Sequence, residues 1–312
     1  RSLMIRPELE KLFYGWKRHN LVAVCLNIVN TINAIHKYNI LLGDINEQNI
    51  LVDSNSQVYF IDTDSYQIEN YPCPVGNATF THPDILSQNY KTFLRKIEHE
   101  RFAVATLIFK ILLPGLSPYS YQGGSNPAAN VKDRNFVFPF YNPSKKISHE
   151  SSQLSHGIWK LIWDNLPNSI REAFYSTFAL GEIREINDPL VDEEIDKVSN
   201  NKWDVKRGWI NILSKYISEL ERGYHKNDLF PTSRKCKKNI TIKQSTASSL
   251  FDNRIELENL RQRSGTDIKI FQENKDGTIK DKPDIMILGL DEESVDLVIS
   301  EIIELDEVVM DD

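Results

Sequence analysis

The chain divides near residue 239, where its net charge and its hydrophobic pattern both change. Residues 1–239 carry 29 basic and 26 acidic side chains and residues 240–312 carry 8 and 18, so the two net charges are +3 and −10. The second part also has its own succession of strand-like and helix-like segments. We therefore predict two domains, the alternative being one domain that ends in an acidic tail.

The composition is that of a globular protein, with 40% hydrophobic and 26% charged residues. The longest nearly apolar run, Ala103–Leu113, is about half as long as a bilayer-spanning helix, and the first residues lack the apolar core of a signal peptide. Cys25, Cys73 and Cys236 form no CxxC pair, which argues against a zinc site and favours reduced thiols. We therefore expect an intracellular, cytoplasmic protein with no membrane partner.

A polar loop and a hairpin hold the candidate site. Ile50–Val52 and Val58–Ile61 are typical of two strands joined by a tight turn. Asp44 and Asn49 precede this hairpin and Asp62 directly follows it. Asn and Asp oxygens suit Mg²⁺ that carries nucleotide phosphates, and a further Asp can orient a hydroxyl nucleophile. The alternative is that all three residues only form turns.

The spacing of these residues resembles the catalytic loop of protein kinases, H-R-D-x-x-x-x-N, which a further Asp follows after a short hairpin. Asp44 and Asn49 stand five positions apart, and Asp62 follows thirteen positions later. The stretches LLGDINEQNILV and FIDTDSYQI resemble, more closely, bacterial-type atypical Ser/Thr kinases with GD(I/V)NxxN and DxDSxQ motifs. Residues 73–84 resemble the end of an activation segment. The resemblance covers residues 6 to about 225.

This resemblance implies phosphoryl transfer from ATP, with Mg²⁺, to Ser or Thr of a protein substrate. Asp44 would orient the substrate hydroxyl and accept its proton. Asn49 and Asp62 would hold Mg²⁺, and Leu51 would lie beneath the adenine. Glu100 stands where the long buried helix of the kinase C-lobe usually has Asp.

Several features depart from the kinase pattern. Leu-Gly replaces His-Arg before Asp44, so the Arg that would bind a phosphorylated activation loop is absent. DTD replaces DFG at Asp62, and Asn46 replaces a frequent Lys. The residues before Pro7 are too few for a kinase N-lobe, and no Gly-rich loop occurs elsewhere. We expect this chain alone to be inactive or very weak, needing an upstream N-lobe, and the alternative is a non-catalytic pseudokinase scaffold.

Residues 240–308 show the order β-α-α-β-β-α, which resembles a type I KH domain. In KH domains a GXXG loop between the first two helices clamps the nucleic-acid backbone. The corresponding residues here, Phe251–Arg254, contain neither glycine, and the acidic character of this region opposes RNA binding. Both RNA and protein remain open as partners of this domain. The predicted segments are strands Ile240–Lys243, Asp267–Phe271 and Asp284–Leu288, and helices Ala247–Phe251, Ile255–Arg263 and Ser294–Leu305.

These patterns predict an α+β protein. Residues 1–230 would form a mostly helical kinase-like C-lobe without an N-lobe. Residues 231–239 would be a basic linker, residues 240–308 a KH-like domain, and residues 309–312 an acidic tail.

Overall fold

The computed structural model describes residues 2–120, 127–142, 147–149, 158–187, 208–232, 236–253, 257, 260, 266–274, 276–289 and 292–308. The chain forms two compact units, Arg1–Phe140 with His149–Ser218, and Tyr141–Ser148 with Glu219–Asp312. Helices and small sheets together give an α+β fold, which confirms the predicted class. The assignment of parts of the chain to a kinase-like and a KH-like domain, with the limits given above, stays a prediction. Within the described residues, no helix has both the length and the apolar character that crossing a bilayer requires.

The first unit is mostly helical. The sequence pattern predicts helices over Pro7–Lys17 and Leu21–His36. The first helix ends at Leu12 instead, because the chain turns at Gly15, whose φ is +80°. The second begins at Arg18, three residues earlier than its apolar periodicity predicts. The helices are α1 (Arg6–Leu12), α2 (Arg18–His36), α3 (Ile97–Leu112), α4 (Pro127–Lys132), α5 (Ile158–Asn165), α6 (Asn168–Tyr175) with a following π-helical turn (Ser176–Leu180), and α7 (Trp209–Glu221).

Two small antiparallel sheets lie between α2 and α3. The strands are β1 (Ile40–Leu41), β2 (Ile50–Val52), β3 (Val58–Phe60) and β4 (Gln67–Ile68). β1 pairs with β4, and β2 pairs with β3 with Leu51 opposite Tyr59. The chain therefore passes twice between the same two sheets, once in residues 42–49 and once in residues 61–66. This arrangement places the two predicted polar segments side by side.

α3 forms the centre of the core of the first unit. The ring of Phe109 lies 4.9 Å from that of Phe174 and 5.1 Å from that of Phe138, measured between centroids. Such edge-to-face contacts between large buried rings stabilise a core beyond their buried area. The cluster around Phe109 is completed by Phe136, Trp163 and Phe178.

The second unit contains a three-stranded antiparallel sheet and helices. A separate pair, β5 (Phe140–Asn142) and β6 (Ile147–His149), precedes it in the chain. The strands of the larger sheet are β7 (Cys236–Thr241), β8 (Asp267–Glu273) and β9 (Ile279–Gly289), in the order β7-β9-β8, and the helices are α8 (Gln244–Asp252) and α9 (Glu292–Val308). Their apolar core contains Ile242, Ala247, Leu250, Leu257, Leu260, Ile268, Ile285, Ile287, Val295, Val298 and Ile302.

The second unit keeps the predicted order of its described elements but not their limits. β7 begins four residues before the expected strand. β9 begins at Ile279, inside the segment Glu273–Lys282, for which the sequence predicts a charged loop. Leu257 and Leu260 are helical, as expected for Ile255–Arg263. The rest of that segment, residues 233–235 of the basic linker and the acidic tail 309–312 lie outside the described residues.

Candidate active site

The loop after β1 begins with a tight turn at Gly43. The Asp44 N–H donates to the Leu42 carbonyl over 2.8 Å, and the φ of Gly43 is +72°. A Cβ atom at this position would lie 2.5 Å from Cβ and 2.6 Å from Sγ of Cys73. Only glycine fits both the conformation and the space, which explains the residue that precedes Asp44.

Two side-chain amides hold Asp44. Nδ2 of Asn49 donates to the Asp44 carbonyl oxygen over 3.0 Å and to Oδ2 over 3.3 Å. Nδ2 of Asn46 donates to the same carbonyl oxygen over 3.1 Å, while its Oδ1 accepts from the Gln48 N–H. Asp44 and Asn49 are therefore in direct contact. The buried amide of Asn46, where kinases often have Lys, binds the loop itself.

Glu100 anchors the loop from α3. Its side chain has 0% exposure, and Oε2 accepts from the Gly43 N–H over 2.8 Å. Oε1 lies 2.7 Å from Nε2 of His36, the last residue of α2. One buried carboxylate thus joins two helices to the residue before Asp44. Position in the kinase resemblance indicates Glu100, whereas its bond to His36 is not visible in the sequence.

Asp62 directly follows the β2–β3 hairpin, whose hydrogen-bond ladder extends by one bond beyond the strands. The Ile61 N–H donates to the Asn49 carbonyl over 3.0 Å, which places Asn49 beside the residue before Asp62. Asp62 has φ 61° and ψ 48°, a left-handed conformation that Asp tolerates better than most residues. A hydrogen bond with Asp64 and repulsion by its charge raise the pKa of Asp62, and the Asp44 charge contributes a smaller increase. The structure therefore brings Asp44, Asn49 and Asp62 into one cluster.

Leu51 lies on the hairpin, in the middle of β2, and stands two residues after Asn49 in the chain. Leu51 is 52% exposed, and Tyr59, opposite it on β3, is 55% exposed. Leu51 and Tyr59 thus expose apolar surface that an adenine ring could cover. The adenine contact of Leu51 stays a prediction.

The donor set of the cluster fits magnesium. Mg²⁺ usually takes one or two protein carboxylates and completes its octahedron with water and substrate phosphates. No group of three His, Cys, Asp or Glu side chains in the described ranges is placed to hold a metal ion. Asn49 and Asp62 would thus supply only part of the coordination. The mutual repulsion of the Asp carboxylates is the electrostatic setting that a cation relieves.

A second buried network lies behind the loop, and sequence reasoning missed it. Gln67 donates from Nε2 to the Arg95 carbonyl over 2.9 Å and accepts from the Arg95 N–H at Oε1 over 2.7 Å. The Arg95 guanidinium donates through Nη2 to the Val75 carbonyl. Gln67 is the last residue of the DTDSYQ stretch, so the motif gave a signal for it. Nothing in the sequence marks Arg95.

The comparison with known proteins points the same way as the cluster. No protein-family model matches the chain. Protein kinase YegI of Escherichia coli O157:H7 and protein kinase YegI of Escherichia coli strain K12 are each 34% identical to it over 105 residues, 32% of this chain. The similarity supports a protein kinase-like region. The matched segment spans only 16% of the length of each relative.

In the second unit, the expected clamp loop begins inside a helix. Phe251 and Asp252 belong to the last turn of α8, and Asn253 ends it. This placement differs from the expected loop Phe251–Arg254, of which Arg254 lies outside the described residues. The Phe251 side chain is half-exposed. If the resemblance to a KH domain holds, an aromatic ring and a carboxylate stand where its glycine loop would approach a nucleic-acid backbone.

Proposed function

We propose that the first unit is the C-lobe of a Ser/Thr protein kinase that transfers phosphate from Mg²⁺-ATP to a protein substrate. The observation that carries the proposal is the cluster in which Asn49 holds Asp44 beside Asp62. The similarity to protein kinase YegI adds support for a kinase-like region. ATP, Mg²⁺ and the protein substrate belong to the proposal, because only a small part of those relatives is matched.

In this proposal Asp44 orients the nucleophile. The substrate hydroxyl oxygen forms a bond to the γ-phosphorus, the bond from that phosphorus to the β–γ bridging oxygen breaks, and ADP leaves. Asp44 accepts the hydroxyl proton. Asn49 binds Oδ2 of Asp44, and Oδ1 has no hydrogen bond to any residue that the structure describes. That oxygen is the one we assign to the substrate hydroxyl.

Asn49 and Asp62 would hold the cation on the nucleotide phosphates. When bound, Mg²⁺ neutralises charge that develops on the phosphate oxygens. Asn49 would have two functions in this arrangement. Its Nδ2 orients Asp44, and its Oδ1 would be the atom that binds the metal. The exposed face of Leu51 would receive the adenine ring. Positioning and electrostatic stabilisation supply most of the catalysis in this reaction class.

The test is a titration of the purified chain with Mg²⁺-ATP, followed as a shift in thermal unfolding. A ligand that binds only the native state raises its stability by about 2.7 kcal/mol at roughly 100 times its Kd. We expect an upward shift of Tm that needs both ATP and Mg²⁺. No shift at millimolar nucleotide would contradict nucleotide binding by this chain and would favour the non-catalytic scaffold.

The variant that decides the metal assignment is Asp62→Gly. Glycine accepts the left-handed backbone of residue 62, whereas alanine would be strained there and would lower Tm for an unrelated reason. Asp62→Gly should lose the Mg²⁺-dependent part of the shift. The matched control is Asp133→Ala, which removes an exposed carboxylate elsewhere in the first unit and should leave the shift unchanged. A full shift in Asp62→Gly would refute Asp62 as a metal ligand.

We infer that residues 240–308 form a KH-like module that contacts a protein instead of RNA. The sheet order β7-β9-β8 with helices after β7 and after β9 supports the KH-like arrangement. The half-exposed Phe251 and the acidic Asp252 support a protein partner, since both oppose close approach of a phosphate backbone.

A further inference from the structure

We propose that Arg95 is a positioning residue that holds the segment after β4 against the candidate catalytic loop, so that this segment is ordered without phosphorylation. The proposal extends the function proposed above to its regulation, and its catalytic half rests on that function. Its structural half, the clamp itself, stands on contacts within the first unit. The segment concerned runs from Cys73 to Thr81 and is called the clamped segment below.

The first support is the way Arg95 is held. Only 8% of the residue is exposed, and both of its backbone polar groups bind the side chain of Gln67. The guanidinium lies 4.8 Å from the ring centroid of Tyr90, a cation–π distance. Backbone and side chain are thus both fixed, so the guanidinium is pre-organised for its partner.

The second support is what the guanidinium reaches. Nη2 of Arg95 donates to the carbonyl of Val75, in the clamped segment. A Cβ on Gly43 would lie 3.3 Å from Nη1, and a Cβ on Gly76 would lie 2.7 Å from Nη2. Arg95 therefore fills the space beside Gly43, where the kinase pattern has an Arg that binds a phosphorylated loop. A guanidinium therefore lies beside Gly43, but it belongs to Arg95, far along the chain, and it binds the Val75 carbonyl instead of a phosphate.

The third support is the order of the clamped segment itself. The N–H groups of Thr79 and Phe80 donate to Asn77, at its side-chain Oδ1 and its carbonyl, each over 2.9 Å. Sγ of Cys73 donates to the Val75 carbonyl over 3.3 Å, so that carbonyl accepts from both sides. The partners in these hydrogen bonds are uncharged groups and one guanidinium. None of the bonds involves a phosphate.

The experiment measures hydrogen exchange in the full chain, shown by intact mass to be unphosphorylated. The amides of Thr79, Phe80 and Thr81 report on the clamped segment. In Arg95→Met these amides should exchange about tenfold to a hundredfold faster, the range expected when a hydrogen bond from a charged group is lost. Lys91→Met removes an exposed positive charge four residues before Arg95 and should leave the exchange rates unchanged.

Amides in α2 and α6, which belong to the same unit as Arg95, show in the same experiment whether a variant still folds. If Arg95→Met loses protection there as well, Arg95→Lys carries the test, because it keeps the charge and loses the fork of donors. Equal protection of the clamped segment in wild type and variant would overturn the clamp. Protection that appears in wild type only after phosphorylation would overturn it too.

The catalytic half is tested by binding of Mg²⁺-ATP to the same unphosphorylated proteins. We expect the wild type to bind and Arg95→Met to bind about tenfold more weakly. Unchanged binding with faster exchange would refute the regulatory role and leave a structural contact. If neither protein binds nucleotide while the exchange rates still differ, the proposed function fails and the clamp stands.

Discussion

At the scale of single residues, the candidate base depends most directly on Glu100. Burying a carboxylate costs several kcal/mol unless its oxygens find partners, and Glu100 has the Gly43 N–H on one oxygen and His36 on the other. Asp44 follows Gly43 directly, so a displacement of Gly43 moves the residue proposed to accept the proton. The carboxylate in α3 is therefore as important to the site as the residues that would touch substrate.

Glu100→Ala should lower the free energy of unfolding by about 3 kcal/mol, because it leaves the Gly43 N–H and the His36 ring without their buried partner. Urea unfolding followed by fluorescence measures the loss. Glu100→Gln is the matched control, since its amide can accept from Gly43 and donate to His36, and it should lose less than half as much. Equal losses in the two variants would show that charge, and not bonding, sets the contribution.

His82 makes the stability of the first unit depend on pH. Burial lowers the pKa of His82 to about 4, against the opposing charge of Asp84, and the ring lies 5.4 Å from that of His99 and 5.2 Å from that of Phe102. The unfolded chain binds the proton more tightly than the folded one. The contribution of His82 to the free energy of unfolding is therefore complete above the unfolded pKa of 6.5. It falls as the pH drops from 6.5 toward 4.

The expected loss over that window is about 3 kcal/mol from His82 alone. Urea unfolding at a series of pH values measures it. His82→Asn keeps an acceptor near the position of Nδ1, which binds the Asp84 N–H, and has no proton to gain. Its stability should change less between pH 6.5 and 4, and an identical pH profile in the two proteins would contradict this account.

At the scale of elements, α9 supplies the cap that α8 lacks. The N-cap residue of α8, Lys243, makes no side-chain capping hydrogen bond. Oδ1 of Asp306, near the end of α9, accepts from the Lys243 N–H over 3.0 Å and from Oγ1 of Thr246 over 2.5 Å. Nζ of Lys243 donates back to the Asp306 carbonyl over 2.7 Å. One helix thus terminates another through a single carboxylate.

Asp306→Ala should destabilise the second unit by about 1–2 kcal/mol, the usual cost of removing a helix N-cap. Hydrogen exchange in α8 measures the effect where it arises. Asp306→Asn keeps an acceptor oxygen and should retain most of the protection. Glu304→Ala removes an exposed charge from the same helix and serves as the control. Loss of α8 protection in Glu304→Ala as well would assign the effect to helix charge instead of capping.

The hairpin was predictable and the networks behind it were not. The turn between β2 and β3 follows from Asp53, whose Oδ1 accepts from the Asn55 and Gln57 N–H groups, a local bond that Asp favours in turns. The β2 limits agree with the sequence for the same reason. By contrast, Gln67 binds Arg95 at a separation of 28 positions. A bond between side chain and distant backbone leaves no periodic trace in a sequence.

At the scale of the whole molecule, the formal charge of −7 is the sum of a nearly balanced first part, at +3, and a strongly acidic second part, at −10. Phosphate contacts supply most of the affinity of non-specific nucleic-acid binding. An acidic module with Asp252 at the place of a backbone clamp should therefore repel RNA. The charge of residues 240–312 therefore supports the protein partner proposed above.

We expect no saturable binding of single-stranded RNA at physiological salt, measured by fluorescence anisotropy. Asp252→Lys reverses one charge at the clamp position and should bind RNA more tightly than wild type, with a steeper salt dependence. Asp281→Lys makes the same charge change at an exposed position of β9 and separates a local effect from a change in net charge. Tight RNA binding by the wild type would refute the protein-binding assignment.

The absence of space around Gly43 has an evolutionary consequence. A Cβ there would collide with Cys73 and approach the guanidinium of Arg95, so the three positions cannot change independently. Relatives with a larger residue in place of Gly43 must carry smaller ones in place of Cys73 or Arg95. Aligned relatives should therefore show covariation among these three positions, and relatives with a larger residue in place of Gly43 should also lack the positive φ that Gly43 adopts here.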